Sequence, residues 1–336
     1  MPELPPFAPA TRVTACTPPP VAPARDVVVY WCTMARRTRW SFALQHAVAH
    51  ARALGRPLVV LEAMRAGYPH ASARLHRFAL DAMAENAAAY ARAGVTHLAY
   101  VEPTPGAGRG LLAALAERAC VVVTDDYPHF FLPRMREAAA RQLAALGTRL
   151  EAVDGCGLLP LAAGERAWPS AAHFRRQVHR VLPLHLDDVP VAEPLAHAVA
   201  LPRPAAAVTT WLDAVCARWP MVAPALLDGD SAEGARALAA LPIDHGVPVV
   251  AGRRGGARAA SALMTRFLDH QLDAYRARRN APSDTSASGL SPYLHWGMLG
   301  AHELFAAVAA REAWTPARLA PRPTGSREGW WGMSPD

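Results

Sequence analysis

The chain has 336 residues, 52% of them hydrophobic, with no apolar run near the 18 residues that a membrane-spanning helix needs; this excludes a helical membrane protein and predicts a soluble chain of two domains. All 35 basic residues are arginine, which excludes a Walker phosphate loop and a Schiff-base lysine, while the net charge of +7 admits a polyanionic partner. The five cysteines, Cys16, Cys32, Cys120, Cys156 and Cys216, contain no Cys-x-x-Cys pair, so the reading is a reduced, cytoplasmic protein with no metal site.

Residues 1–25 are rich in proline and alanine and lack the pattern of a signal peptide, so they read as a disordered tail. From 26 to 157, short β-branched runs alternate with longer alanine-rich helical patterns. Residues 27–32, 57–63, 96–101, 120–124 and 149–153 read as strands, and 40–54, 71–93, 108–118 and 131–146 as helices. Apolar strands separated by helices predict a doubly wound α/β domain with a parallel sheet covered on both faces. Ligands of such sheets bind beyond the carboxyl ends of the strands, which here means 31–37, 62–68 and 124–129. Asp125 and Asp126 fall in the last of these and read as helix caps or crevice residues. Arg36, Arg37 and Arg39 read as a solvated helix start. No Gly-x-Gly-x-x-Gly follows the first strand, which argues against a nicotinamide site.

Residues 158–224 are broken by repeated prolines and read as an interdomain linker with one short helix at 171–181; its histidines, His173, His179, His185 and His197, lack metal-ligand spacing. Beyond it, 210–218, 232–241, 257–277, 291–295 and 301–311 are helical, predicting an all-helical domain over 225–336. Arg258, Arg266, Arg276, Arg278 and Arg279 read as a solvated face that a DNA backbone would also suit.

The most informative stretch is 275–297. Met264, Leu268, Leu272 and Tyr275 form one apolar stripe that ends at the basic residues Arg276, Arg278 and Arg279. Ser291-Pro292 is a helix-start signal, with Ser291 as the cap. A helix N-terminus carries free N–H groups and partial positive charge, and Ser286, Ser288 and Ser291 add hydroxyls beside it, so the loop reads as a candidate diphosphate cradle.

This segment, with Ser288-Gly289-Leu290-Ser291-Pro292-Tyr293-Leu294-His295-Trp296-Gly297 at its end, resembles the flavin-binding signature of the DNA photolyase and cryptochrome family, in its class II form. Tyr30-Trp31 and Thr124-Asp125-Asp126-Tyr127 resemble the N-terminal domain of the same family. The resemblance implies a doubly wound α/β domain followed by a helical FAD-binding domain. It implies light-driven repair of cyclobutane pyrimidine dimers by electron transfer from reduced FAD. The FAD contacts it implies are Tyr275, Ser286, Ser288, Leu290, Ser291 and Leu294. Ala287 stands where many class I relatives carry a threonine hydroxyl.

It further implies UV-damaged DNA as partner, a monomer off the membrane, and in some relatives a pterin or deazaflavin antenna. No catalytic residue is assigned. The resemblance spans 26–336 but only the front of the catalytic domain, and Ser334-Pro335-Asp336 reads as a helix start, so the expectation is a truncated enzyme of weak activity. Trp330 and Trp331 are expected to be buried. The alternatives are a cryptochrome-like photoreceptor without repair and a non-catalytic α/β nucleotide-binding module.

Overall fold

The computed structural model describes residues 6–164, 167–281, 287–322 and 329–333. In chain order it places β1 (Val13–Ala15), β2 (Val27–Cys32), α1 (Phe42–Leu54), β3 (Leu58–Met64), α2 (Ala73–Ala93), β4 (Thr96–Val101), α3 (Leu111–Ala116), β5 (Ala119–Asp126), α4 (Leu132–Ala145) and β6 (Leu150–Asp154). These are followed by α5 (Ala171–Val181), α6 (Ala206–Arg218), α7 (Pro224–Leu227), α8 (Ala232–Ala239), α9 (Ala257–His270), α10 (Leu272–Arg278), α11 (Ser291–His295) and α12 (Ala301–Arg311). The strands form one sheet in the order β1-β6-β5-β2-β3-β4, parallel except for β1. The chain is therefore α/β in its first half and helical in its second, as the pattern of apolar runs predicts.

Period-two alternation divides β2 between two cores. Val28, Tyr30 and Cys32 face α1, while Val27, Val29 and Trp31 face α3, α4 and α6. The covering helices start and stop on local signals. Ser41 and Ser72 accept the N–H groups of Leu44 and Leu75 at the starts of α1 and α2, and Gly55 and Gly94 close both helices in the left-handed region.

The tail and linker expectations need correction. Residues 6–25 are not a loose tail: β1 pairs with β6, and the buried Arg12 donates to the carbonyls of Gly157 (3.0 Å) and Leu158 (2.7 Å) beside Asp154. An edge strand supplies backbone partners to a segment too short and proline-rich to signal a strand by itself. Nor is 158–224 only a linker. Val208, Leu212 and Val215 of α6, with Trp219, are buried against the sheet.

The helical half docks on α2, where Phe78 and Ala82 share a core with Phe267, Leu268, Leu290 and Tyr293. The helix expected over 257–277 breaks at Gln271 into α9 and α10. Arg36 and Arg37 are also corrected, because both are buried. Arg36 pairs with Glu62 at 2.9 Å, and Arg37 donates to the carbonyl of Gly297 at 2.8 Å. Gly297 has φ +64°, and a Cβ there would run into the carbonyl of Met34, so this junction takes only glycine.

Candidate functional site

Two regions gather the residues that chemistry would use. The first is a cavity of 670 Å³ at the carboxyl ends of β2, β3, β4 and β5, where the crossover direction reverses on either side of β2. Its volume lies in the range of small-molecule sites. Trp31, Tyr68, Tyr100, Tyr127 and Phe131 supply aromatic walls, and Arg65 and Arg109 stand at the exposed rim.

The cavity is held open by satisfied polar groups. Glu102 takes the N–H groups of Ala66 (3.0 Å) with one oxygen and of Gly106 (2.8 Å) with the other, pinning the loops after β3 and β4. Asp125 accepts from Thr33, Met34 and Ala35 (2.8, 2.7 and 3.1 Å) and from the Tyr30 hydroxyl (2.8 Å), which fixes the loop after β2. Asp125 is thus a clamp on that loop and not a helix cap, while Asp126 pairs with Arg136.

On the floor, Arg36 donates to Glu62, which also takes hydrogen bonds from Asn86 (3.2 Å) and His97 (3.1 Å). Burial alone would push the Glu62 carboxyl up; the bond from His97 and the Arg36 charge outweigh it and hold it below its ordinary value.

Two features point to a ligand. The Tyr68 hydroxyl is buried without a hydrogen-bond partner among the described residues, and burial pushes its pKa up to about 12, so it remains a free donor. His70 and Phe130, both at the cavity rim, hold positive φ values of 69° and 63°, a strain that the surrounding structure maintains.

The second region is the loop that the sequence singles out. Tyr275, half-buried on α10, packs edge-on against Phe267 (5.3 Å) and under the Arg279 guanidinium (5.7 Å). Leu290 is 1% exposed in the same apolar cluster. Ser288 is half-buried, Ser291 and Leu294 are exposed, and Ser286 lies outside the described residues. Ser288 Oγ accepts the Leu290 N–H at 3.4 Å, which leaves its own proton to donate. Ser291 is the first helical residue of α11 and Leu290 stands at the cap, so among the described residues no side-chain cap hydrogen bond is made at this helix start. These residues therefore fit one side of a phosphate group: a free Ser288 hydroxyl beside an apolar bed.

The two regions share a wall. His295 and Trp296, from the end of the same motif, line the sheet-end cavity, and the Arg36 guanidinium lies 5.9 Å from the Trp296 ring.

With this geometry in hand, the comparisons are direct. The chain is 26% identical over 287 residues to a deoxyribodipyrimidine photo-lyase of Methanothermobacter thermautotrophicus, covering 85% of this chain and 56% of that protein. It is also 26% identical over 281 residues to a deoxyribodipyrimidine photo-lyase of Arabidopsis thaliana, covering 82% and 51%. Both relatives are photolyases by name, and the chain is similar to that family at this identity. Among solved structures, a class III photolyase of Agrobacterium tumefaciens superposes with a TM-score of 0.58 at 19% identity, covering 85% of this chain and 54% of that one. An archaeal photolyase of Sulfolobus tokodaii, solved with two FAD molecules, gives 0.54 at 14%, covering 84% and 54%. These two show that the photolyase fold is shared. The chain spans about half the length of the photolyases it matches. No profile of a known protein family matches it.

The rule that ligands bind beyond the strand ends located Trp31, Arg36, Tyr68 and Tyr127 from sequence. It missed the wall that α4 contributes, although Met135, Ala138, Ala139 and Gln142 recur at helical spacing and face the cavity. It also missed Trp296, which lines the cavity and packs against the helical cluster of Leu290 and Tyr293 as well. Of the expected buried pair, Trp330 is 3% exposed and stacks on His179 at 4.0 Å, while Trp331 is half-buried. Ser334-Pro335-Asp336 lies outside the described residues. Among the described residues, no helix is long and apolar enough to cross a membrane.

Proposed function

We propose that this chain belongs to a light-driven DNA repair system of class II photolyase type, acting on cyclobutane pyrimidine dimers in UV-damaged DNA. The observation that carries this reading is the flavin-type motif at 275–297 in a chain whose curated relatives are deoxyribodipyrimidine photo-lyases. Tyr275, Ser288, Leu290, Ser291 and Leu294 would hold FAD, with Ser286 from the segment between them. Bound there, reduced FAD supplies the excited-state electron that splits the dimer. The Ser288 hydroxyl donates to its diphosphate, and Tyr275 and Leu290 form the apolar bed.

The sheet-end cavity takes a second, planar aromatic chromophore of pterin or deazaflavin class. Its aromatic walls stack on a flat ring, the Tyr68 hydroxyl donates to a ring acceptor, and Arg65 and Arg109 meet an anionic tail. The shared Trp296 wall sets the two sites side by side.

The test is reconstitution. The purified chain, incubated with FAD and separately with a reduced pterin or a deazaflavin, is expected to retain each and show its absorbance. Leu112→Trp, which fills the cavity, should abolish retention of the second chromophore and leave FAD bound. Light-dependent dimer splitting by the FAD-loaded chain completes the reading. Flavin retention without splitting makes it a cryptochrome-like photoreceptor, and no flavin retention sinks the FAD assignment.

A further inference from the structure

A cluster on the other side of α1 plays no part in either chromophore site. His46 and His50 lie four residues apart on α1, hence on one face, and that face meets Glu151 of β6. Both Nε2 atoms lie 2.9 Å from the same atom, Glu151 Oε2. The three ligand atoms are all within 4.8 Å of one another, and the imidazole rings stand at 87°. His46 and Glu151 are buried and His50 is half-buried.

Two imidazoles at this helical spacing with a carboxylate from the adjacent strand form a donor set suited to zinc, which binds such atoms at about 2.0–2.2 Å and keeps a fourth position open. Tetrahedral bonds of that length set ligand atoms roughly 3.3 Å apart, so each 2.9 Å contact opens by about 0.4 Å, while the two Nε2 atoms, within 4.8 Å of each other, adjust to the same spacing.

Residues 6–8 hold His46 in one of its two tautomers. The Ala8 N–H donates to His46 Nδ1 at 3.2 Å, which puts the His46 proton on Nε2, where it is given to Glu151. Gln45 Nε2 holds the Pro6 carbonyl at 2.8 Å, and the Phe7 ring packs edge-on over both imidazoles at 5.2 and 4.9 Å. An ion bound at His46 Nε2 requires the proton on Nδ1, where Ala8 N–H now points. The strap and the ion therefore compete for one imidazole. Arg149 occupies the other carboxylate oxygen, Oε1, at 3.0 Å, so Oε2 stays available while the guanidinium charge weakens cation binding.

We propose that His46, His50 and Glu151 form an exchangeable Zn²⁺ site gated by the N-terminal strap, which must withdraw Ala8 before the ion binds. On binding, the proton of each imidazole moves from Nε2 to Nδ1 and Glu151 stays a carboxylate, so no net proton is released.

The test titrates the purified full chain with Co²⁺, followed by visible absorption, and then displaces it with Zn²⁺. One equivalent of tetrahedral Co²⁺ is expected. Ala8→Pro deletes the competing N–H and should tighten binding at least tenfold, and His50→Ala should weaken it at least tenfold, with circular dichroism reporting the fold of each variant. Equal binding by wild type and a folded His50→Ala chain, or no tetrahedral Co²⁺ at all, overturns the site. Ala8→Pro binding no tighter than wild type overturns the gate, and that variant carries the test should His50→Ala fail to fold.

Discussion

The sheet-end cavity and the 275–297 loop make an instructive pair. The cavity is enclosed by four strand ends, and its polar framework is almost fully paired: Glu102 spends both its oxygens on backbone N–H groups of the loops that shape it, and Asp125 spends one on the backbone after β2 and the other on the Tyr30 hydroxyl. At the other region, Ser291 and Leu294 are exposed on one side of a packed helical cluster. The loop carries the recognisable motif and the cavity carries the built volume. A sequence signature thus marks where a ligand's polar groups are read, while a cavity arises where distant segments meet, and among the described residues the two coincide at His295 and Trp296.

The most damaging way to break this pairing is at the cavity floor. Glu62→Ala leaves the Arg36 guanidinium buried and uncompensated and removes the acceptor of His97 and Asn86. It should cost roughly 3–5 kcal/mol in urea unfolding. A loss below ~1 kcal/mol would mean that the network contributes little.

Next comes the seam between the two regions. Gly297→Ala meets the Met34 carbonyl at a positive φ and disturbs the Arg37 hydrogen bond. It should destabilise the chain by about 3 kcal/mol, read as a fall in thermal midpoint, because backbone cannot retreat as a flexible side chain would. An unchanged midpoint would show that this junction is loose.

A titration effect of the order of 2 kcal/mol should appear at the same seam. His302 of α12 is buried against Phe42, with Nε2 unpaired, and its pKa is lowered to about 3, first by burial and then by the Arg12 and Arg37 charges. The unfolded chain takes up this proton near pH 6.5 and the folded chain only near 3, so stability falls as pH drops through that window. The loss is about 2 kcal/mol between pH 7 and pH 5. His302→Leu should flatten that part of the pH profile, and a profile identical to wild type would exclude this histidine as its source.

The smallest effect isolates the loop. Ser288→Ala with Ser291→Ala removes two hydroxyls and should weaken FAD retention by about 1 kcal/mol each, leaving the second chromophore and the thermal midpoint unchanged. Equal loss of both chromophores would mean that the sites are not separable.

Periodicity alone was enough for the five parallel strands, since such buried strands are short apolar runs and their ends fall within two residues of the expected bounds. Likewise, the chemistry of 275–297 is local, a matter of hydroxyls, a proline and their spacing. Tertiary structure alone decided what depends on partners far away in the chain. Residues 10–17 became ordered because β6 offered an open edge, and Arg36 and Arg37 were buried because Glu62 and Gly297 came to meet them. His46, His50 and Glu151 converged although 101 residues separate the nearest histidine from the glutamate. Local spacing records how a segment bonds to itself, whereas burial and charge pairing are set by which surfaces the folded chain brings into contact.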